Sequence, residues 1–136
     1  LAHEQIGGAQ ALFDSTVAYT KSRYQFGRPI GSFQALKHRC ADLLLELELA
    51  KSVVYEAAAC LDRGEPASEL ASMAKAMGSE SYMNVARAAI QLRGGIGVTW
   101  EDNTHLWFKR AKSSEVFMGT PSYHRDRMLD HVREAS

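Results

Sequence analysis

The feature that most restricts the fold is a stretch of thirty-two residues, Ser32 to Arg63, that contains neither glycine nor proline. Within it, apolar residues recur at spacings of three and four, which is the period of a helix with one buried face. The apolar positions are Leu36, Cys40, Leu43, Leu44, Leu47, Val54, Ala57 and Ala58. We therefore predict one long helix from Phe33 to Asp62, with Ser32 as its N-cap and Gly64 as its C-cap.

Helical periodicity also dominates the rest of the chain. We predict further helices over residues 2–24, 67–92, 103–112 and 121–133, with Thr99 or Asp102 capping the fourth. Glycine- and proline-rich connections separate them at 25–31, 63–66 and 93–97. No segment alternates polar and apolar residues over five or more positions, so no strand is predicted. The fold class is all-α, an up-and-down bundle with short loops.

Composition excludes several functional classes. The 136 residues suit one domain, and sixteen basic residues balance sixteen acidic ones. A neutral chain lacks the positive surface of a nucleic-acid binder. No apolar run approaches the roughly 20 residues of a membrane span. The first residues have neither the basic nor the apolar region of a signal peptide, and they lack a methionine. We expect a fragment of a longer gene product.

The two cysteines predict a reducing compartment. Cys40 and Cys60 fall within the one long helix, which would hold their Cα atoms about 30 Å apart at 1.5 Å per residue. A disulfide needs less than about 7 Å, so they cannot pair within the chain. We expect inert thiols and a cytoplasmic protein.

Helical bundles often hold metals, but this sequence does not predict a metal site. No glutamate has a histidine three residues later, the spacing used by di-iron bundles. Glu101 and His105 could touch on one helix face, and His124 and His131 share another face. Neither pair has further ligands at a useful spacing, so surface contacts explain them.

Three segments indicate a binding function. Residues 23–30 combine two arginines, two aromatic residues and helix breakers at one junction. Residues 91–97 place three glycines within four positions, where a helix C-cap needs only one, so backbone approaches something closely there. Residues 119–121 form a flexible turn before a helix N-terminus, whose free N–H groups favour an anionic ligand.

The order of these segments resembles the C-terminal domain of the acyl-CoA dehydrogenases. The family pattern Arg-x-x-Phe-Gly-x-x-Ile-x-x-x-Gln appears as Arg23, Phe26, Gly27, Ile30 and Gln34. Its pattern Gln-x-x-Gly-Gly-x-Gly appears as Gln91, Gly94, Gly95 and Gly97, and Glu101 matches a common glutamate four residues later. The similarity covers the whole chain, so residues 1–136 are interpreted as that domain without the N-terminal helical and middle β domains that precede it in the family.

The resemblance implies a four-helix bundle that contacts FAD and builds an oligomer, a dimer or tetramer. It implies that Arg23 binds the FAD diphosphate, and that Phe26 and Gln34 line the adenine end. Gln91, Gly94 and Gly95 would contact the cofactor from across a dimer, and Thr120 would meet a phosphate or ribose. The implied reaction is α,β-dehydrogenation of an acyl-CoA thioester, with an electron-transfer partner and no activity expected from this fragment alone.

One position departs from the family. Many members have a catalytic glutamate directly before Gly-Thr, but this chain has Met118 there. The reaction needs a base within hydrogen-bond reach of the α proton, and a thioether is not a base near neutral pH. Glu115, three residues earlier, would point to a different helix face. No residue of this chain is therefore predicted to be catalytic.

Two explanations stay open. Some members carry the glutamate on the first helix of this domain, and aligning Gln10 with the family glutamine puts that site a few residues before Leu1. Alternatively, the chain belongs to a non-catalytic subunit, as in the two-subunit dehydrogenases that act on steroid side-chain thioesters. Residues 95–101 resemble bacterial members with bulky substrates, so we expect a bacterial source. A free-standing helical interaction module is a third alternative.

Overall fold

The computed structural model describes residues 1–134, and most of them are helical. Its five helices are α1 (Ala2–Ser22), α2 (Gln34–Asp62), α3 (Ser68–Arg93), α4 (Thr104–Val116) and α5 (Pro121–Glu134). Each helix begins within one residue of its predicted start, and α4 continues four residues beyond its predicted end. The all-α bundle predicted from the sequence is confirmed.

Helix α3 lies at the centre and contacts the other four helices. It runs parallel to α1, because Gln5 near the start of α1 bonds Ser79 and Arg93 at the end of α3 bonds Thr16. Helices α1 and α3 therefore begin at one end of the bundle and finish toward the other.

Helices α2, α4 and α5 run antiparallel to α3. The short α2–α3 connection reverses the chain, and the end of α4 returns to the early part of α3, where Lys75 bonds the Glu115 carbonyl. Helix α5 continues in the same direction, with Arg125 bonded to Glu80 and His131 to Ser68. Since α4 and α5 follow one another along the same helix, the five helices occupy the four positions of an up-and-down bundle.

The core lies between α1, α2 and α3. Small side chains on α3 let its neighbours approach closely, and the buried alanines there are Ala74, Ala76, Ala86, Ala88 and Ala89. Leu43, Leu47 and Val54 fill the α2 side, as the spacing predicts. The prediction is wrong for Leu44, which is 41% exposed because it lies at the edge of the buried stripe.

The ends of α2 are capped differently from each other. The predicted Ser32 cap is wrong: the Ser32 hydroxyl donates to the Pro29 carbonyl at 2.7 Å, and no side chain caps the helix start. The predicted Gly64 cap is confirmed. Gly64 has φ +71°, and Glu65 N–H returns to the Cys60 carbonyl at 2.9 Å, which is the Schellman pattern.

A small hairpin that the sequence did not predict joins α1 to α2. Its strands are β1 (Tyr24–Gln25) and β2 (Arg28–Pro29), paired antiparallel. Phe26 and Gly27 form the turn with φ of 54° and 76°, the two positive values of a type I′ hairpin. Helix α1 therefore ends at Ser22, two residues before its predicted end. Strands of two residues are too short to show alternation in a sequence.

Candidate functional site

Six of the seven predicted binding residues lie at one end of the bundle. We call it the hairpin end: the end where α1 finishes, α2 begins and α3 finishes. Its candidate residues are Arg23, Phe26, Gln34, Gln91, Gly94 and Gly95. Arg39 of α2 and Gln91 of α3 line one cavity of about 250 Å³ there, so the two helices bring their candidates to the same end.

Arg23 has a fixed backbone and a free guanidinium. Its N–H donates to the Tyr19 carbonyl at 2.9 Å, and its own carbonyl accepts from Ile30 N–H at 2.8 Å. Its side chain makes no salt bridge or hydrogen bond with the part of the chain that the structure describes. An exposed guanidinium on a fixed backbone presents a rigid fork of donors that suits a phosphate.

Phe26 combines an unfavourable backbone conformation with a solvent-exposed ring. It is 91% exposed and has a positive φ, which is rare for a bulky residue. Its ring meets the edge of Phe33 at 6.1 Å between centroids, and the Arg28 guanidinium lies 4.0 Å over Phe33. Strained and exposed residues of this kind concentrate at binding sites. An aromatic ring presented in this way can pack against a planar ligand.

Two exposed glutamines add amide groups to this end. The Gln34 Nε2 lies 3.2 Å from His38 Nε2 on the next turn of α2, and Gln91 is exposed on the last turns of α3. An amide offers both a donor and an acceptor. The hairpin end therefore combines a cation, an aromatic ring and amides, all open to solvent.

The structure requires glycine at two of the three glycine positions that follow α3, for two different reasons. Gly94 has φ +64°, and a Cβ on Gly97 would lie 3.1 Å from the Ile90 carbonyl. Gly95 is exposed, its φ is not positive, and a Cβ added to it would meet no atom within 4 Å. The positive φ therefore explains Gly94 and close packing explains Gly97, but neither reason applies to Gly95. Its bare backbone leaves room for a group from outside the described chain.

Arg93 orders this glycine turn, and sequence reasoning missed it. Its side chain is 4% exposed, donates to Ser15 and Thr16 at 2.8 Å each, and lies 3.3 Å from an Asp102 oxygen. Burial raises the pKa of Asp102, but hydrogen bonds from Thr104 and the Arg93 charge lower it by more, so the pKa lies below its ordinary value. The only sequence signal that could have indicated this role is that Arg93 is a charged residue directly before a glycine turn.

Asp102 also accepts from Thr104 N–H at 2.7 Å at the start of α4. The prediction of Thr99 or Asp102 as the N-cap is nevertheless wrong, because the N-cap position is Asn103 and Asp102 bonds the helix start from one residue earlier. Thr99 instead donates its hydroxyl to the Ile96 carbonyl at 2.9 Å. The pair Arg93–Asp102 therefore ties the end of α3 to the start of α4.

Thr120, the seventh predicted binding residue, lies at the opposite end. We call this the Gly–Thr turn: Met118, Gly119 and Thr120, between α4 and α5. The turn is bonded to Lys75, which precedes Arg93 by eighteen residues on α3, or about 27 Å of helix. One chain therefore does not bring Thr120 together with the hairpin end.

The Gly–Thr turn contains two successive residues with positive φ, Met118 at 61° and Gly119 at 104°. Met118 is 69% exposed, and Thr120 Oγ1 accepts from Tyr123 N–H at 3.3 Å at the start of α5. The Glu115 carboxylate lies on α4 and pairs with Lys112. The exposed side chain directly before Gly119 is therefore a thioether, and the nearest preceding carboxylate, that of Glu115, is paired on α4.

A cavity of about 260 Å³ lies beside this turn, and Leu1 and Phe117 both line it. The start of α1 therefore lies near Phe117, the residue before Met118. Cys40 and Cys60 are free, as predicted. Within residues 1–134, no helix is long and apolar enough to cross a bilayer, and no three metal-binding side chains gather at one point.

Comparison with known proteins agrees with this architecture. The sequence profile described as "Acyl-CoA dehydrogenase, C-terminal domain" matches residues 1–132. Acyl-CoA dehydrogenase IpdE2 of Mycolicibacterium smegmatis is 48% identical over 121 residues, which are 89% of this chain and 37% of that protein. The chain thus spans less than half the length of this relative.

Solved structures share the fold as well. The butyryl-CoA dehydrogenase of Megasphaera elsdenii superposes with a TM-score of 0.93 at 30% identity, over 96% of this chain and 34% of that one. A variant of a steroid ACAD superposes with a TM-score of 0.93 at 32% identity, over 98% of this chain and 37% of that one. Profile, sequence and fold agree: the chain belongs to the acyl-CoA dehydrogenase family and corresponds to its C-terminal domain.

Proposed function

We propose that this chain is the FAD-contacting and oligomer-building domain of an enzyme that oxidises the α,β bond of an acyl-CoA thioester. When bound, FAD supplies the acceptor for the hydride that leaves the β carbon. One observation carries the proposal: the free Arg23 guanidinium, the exposed Phe26 ring and the open Gly95 backbone share the hairpin end.

These groups fit the chemistry of the cofactor. Arg23 would bind the diphosphate, because a guanidinium pairs with two phosphate oxygens at once. Phe26 and Gln34 would line the adenine, through ring packing and an amide hydrogen bond. Gln91, Gly94 and Gly95 would approach from the end of α3, where a side chain on Gly95 would occupy the space that the cofactor needs.

The separation of Thr120 from the hairpin end supports an oligomer. About 27 Å of α3 lies between them, so we infer that they serve cofactors bound to different copies, or different ends of one cofactor at a subunit boundary. The chain would then take part in a dimer or tetramer of like or unlike subunits, and acyl-CoA and an electron-transfer protein would be its other partners. Cytoplasmic location remains a prediction.

The residues present do not supply the base. Met118 has no basic atom, and Glu115 is paired with Lys112. We infer that an active enzyme carries its carboxylate a few residues before Leu1, since Leu1 lines the same cavity as Phe117.

A second function is favoured by Met118 itself. A subunit that completes a neighbour's flavin site without abstracting a proton would keep Arg23, Gln34 and Gln91 but would not need a carboxylate at position 118. The chain is similar to a solved steroid ACAD, and a two-subunit dehydrogenase that acts on steroid side-chain thioesters would contain a subunit of this second kind.

Flavin retention by the complete protein tests the cofactor role. Arg23→Ala should raise the dissociation constant of FAD at least about tenfold, since a hydrogen-bonded charge contributes roughly 1.5–3 kcal/mol. Arg63→Ala is the matched control, because Arg63 pairs with Glu56 and Glu65 at the opposite end of the bundle. Equal FAD affinity in the Arg23 and Arg63 variants would contradict the assignment.

An anaerobic visible spectrum separates the two functions. The complete protein should show a flavin band near ~450 nm, and acyl-CoA should bleach it if the subunit has a base upstream of Leu1. A band that no acyl-CoA bleaches, but that a second subunit makes responsive, would identify the partner subunit. Absence of any flavin would contradict both.

A further inference from the structure

Lys75 is a buried lysine that the proposed function does not use. It lies on the second turn of α3 and is 5% exposed, whereas the other five lysines are exposed or half-buried. Lysines are almost never fully buried unless they are paired. Among the described side chains, no carboxylate oxygen lies within salt-bridge distance of the Lys75 Nζ.

Uncharged acceptors satisfy the Lys75 ammonium instead. It donates to the Ser79 hydroxyl at 2.9 Å, the Glu115 carbonyl at 3.1 Å and the Gly119 carbonyl at 3.0 Å. An ammonium has three N–H donors, so each donor has one partner. Two of the three partners are backbone atoms at or just beyond the end of α4. Lys75 is therefore built into the Gly–Thr turn.

The turn needs such support for two reasons. The last carbonyls of a helix have no partner inside the helix, and a cation placed there is favourable. Met118 and Gly119 also have positive φ, which for methionine costs about 1 kcal/mol. Lys75 bonds the turn from the α3 side, and His124 Nε2 donates to the Met118 carbonyl at 2.9 Å from α5.

Burying the ammonium has a cost that simple packing would not require. Burial lowers the pKa of Lys75 from its ordinary value, and the Glu115 carboxylate only partly opposes this. A methionine or leucine would fill the same volume without that cost. What the ammonium adds is three directed hydrogen bonds, two of them on the backbone that leads to Thr120.

We propose that Lys75 is a positioning residue that fixes the Gly–Thr turn and thereby sets where Thr120 stands toward the cofactor. The first part stands on the hydrogen bonds of Lys75. The second part rests on the proposed function, in which Thr120 meets a phosphate or ribose of FAD.

Amide hydrogen exchange in the complete protein tests the first part. Lys75→Met keeps an unbranched side chain that is one atom shorter and removes all three donors. We expect exchange at the Gly119 and His124 amides to rise at least tenfold, while the Ile30 amide at the hairpin end changes less than twofold. Ser79→Ala is the matched control, since Ser79 accepts from Lys75 and from Gln5 but makes no hydrogen bond with Met118, Gly119 or Thr120. An unchanged turn, or an equal rise at both ends, would overturn the proposal.

A second variant covers the case in which Lys75→Met does not fold. Lys75→Gln retains two N–H donors on a side chain one atom shorter, so we expect a rise in exchange between that of the wild type and the full loss. A Lys75→Gln protein whose turn exchanges at the wild-type rate would also overturn the proposal.

FAD affinity tests the second part through a cycle of Lys75→Met, Thr120→Ala and the double variant. If Lys75 acts through Thr120, each single change should weaken FAD binding about five- to tenfold, and the double variant should be no weaker than the worse single one. Effects that multiply would overturn this part. Faster exchange in the turn with unchanged FAD affinity would support the role of Lys75 in fixing the Gly–Thr turn. It would contradict the proposed contact between Thr120 and FAD.

Discussion

Two turns flank α4, and a buried cation of α3 stabilises each of them. The two cations differ in the groups that they bond. Arg93 holds the glycine turn at one end of α3, and Lys75 holds the Gly–Thr turn at the other. Arg93 bonds side chains, namely two hydroxyls and the Asp102 carboxylate. Lys75 bonds two backbone carbonyls and one hydroxyl.

The difference shows how one helix can support two kinds of turn. Arg93 bonds side chains, so it connects α3 to α1 and to the start of α4 and leaves the glycine backbone free to face outward. Lys75 bonds carbonyls, so it fixes the backbone itself and therefore the direction of the chain at Thr120. The first turn should depend on the charge of Asp102, and the second should not.

The largest effect should come from removing the cation of the first turn. Arg93→Met should lower the free energy of unfolding by about 3 kcal/mol, because Asp102 and two hydroxyls lose a buried partner. Urea denaturation would measure it. Adding Asp102→Asn should recover part of the loss, and a loss below about 1 kcal/mol would show that the ion pair does not hold this turn.

The next effect concerns the backbone of the second turn. Gly119→Ala should cost about 2 kcal/mol, because φ is +104° and a Cβ would lie 2.5 Å from a Tyr123 ring carbon. The same measurement of denaturation applies. Gly119→Ala combined with Tyr123→Ala should recover the steric cost that is due to Tyr123. The backbone cost and the contact with His124 Nε2, 3.0 Å from the same Cβ, would remain.

A smaller effect should appear as a pH dependence of the first turn alone. The pKa of Asp102 in the folded state lies below its ordinary value of 3.8, so its contribution to stability is complete above that value and is lost as the pH falls through the folded pKa. Asp102→Asn should therefore flatten the stability curve below about pH 4. Lys75→Met should leave that slope unchanged, since Lys75 stays charged throughout acid conditions.

The smallest effect on stability should come from Gly95→Ala. No atom lies within 4 Å of the added Cβ, and the φ of Gly95 is not positive, so the free energy of unfolding should change by less than about 0.5 kcal/mol. FAD retention by the complete protein should nevertheless fall. A variant that binds FAD normally would show that Gly95 does not face the cofactor.

Much of the fold could be predicted because helices are local structures. The starts of all five helices and the Gly64 cap follow from spacing and from residue types that act within one or two turns. The errors lie at the junction of α1 and α2. The hairpin there displaced the end of α1, and the Ser32 hydroxyl bonded Pro29 rather than the helix start.

The candidate site divides in the same way. The residues at positions 23, 26, 34, 91, 94, 95 and 120 are recognisable from two ordered motifs and a Gly-Thr pair. The motifs do not reveal that Gly95 is the one of the three glycines whose φ and packing would both allow a side chain. They also do not reveal that Phe26 has a positive φ. Both facts depend on how neighbouring segments pack.

The sequence by itself therefore determined the helices, the Gly64 cap and the family, because periodicity, capping and motif spacing act over a few residues. Only the tertiary structure decided the role of Lys75, whose partner Gly119 lies 44 residues away, and that of Arg93, which bonds Thr16 from 77 residues away. Such contacts depend on helix direction and packing distance. A charged residue in a helical pattern looks the same in sequence whether it faces solvent or holds a turn.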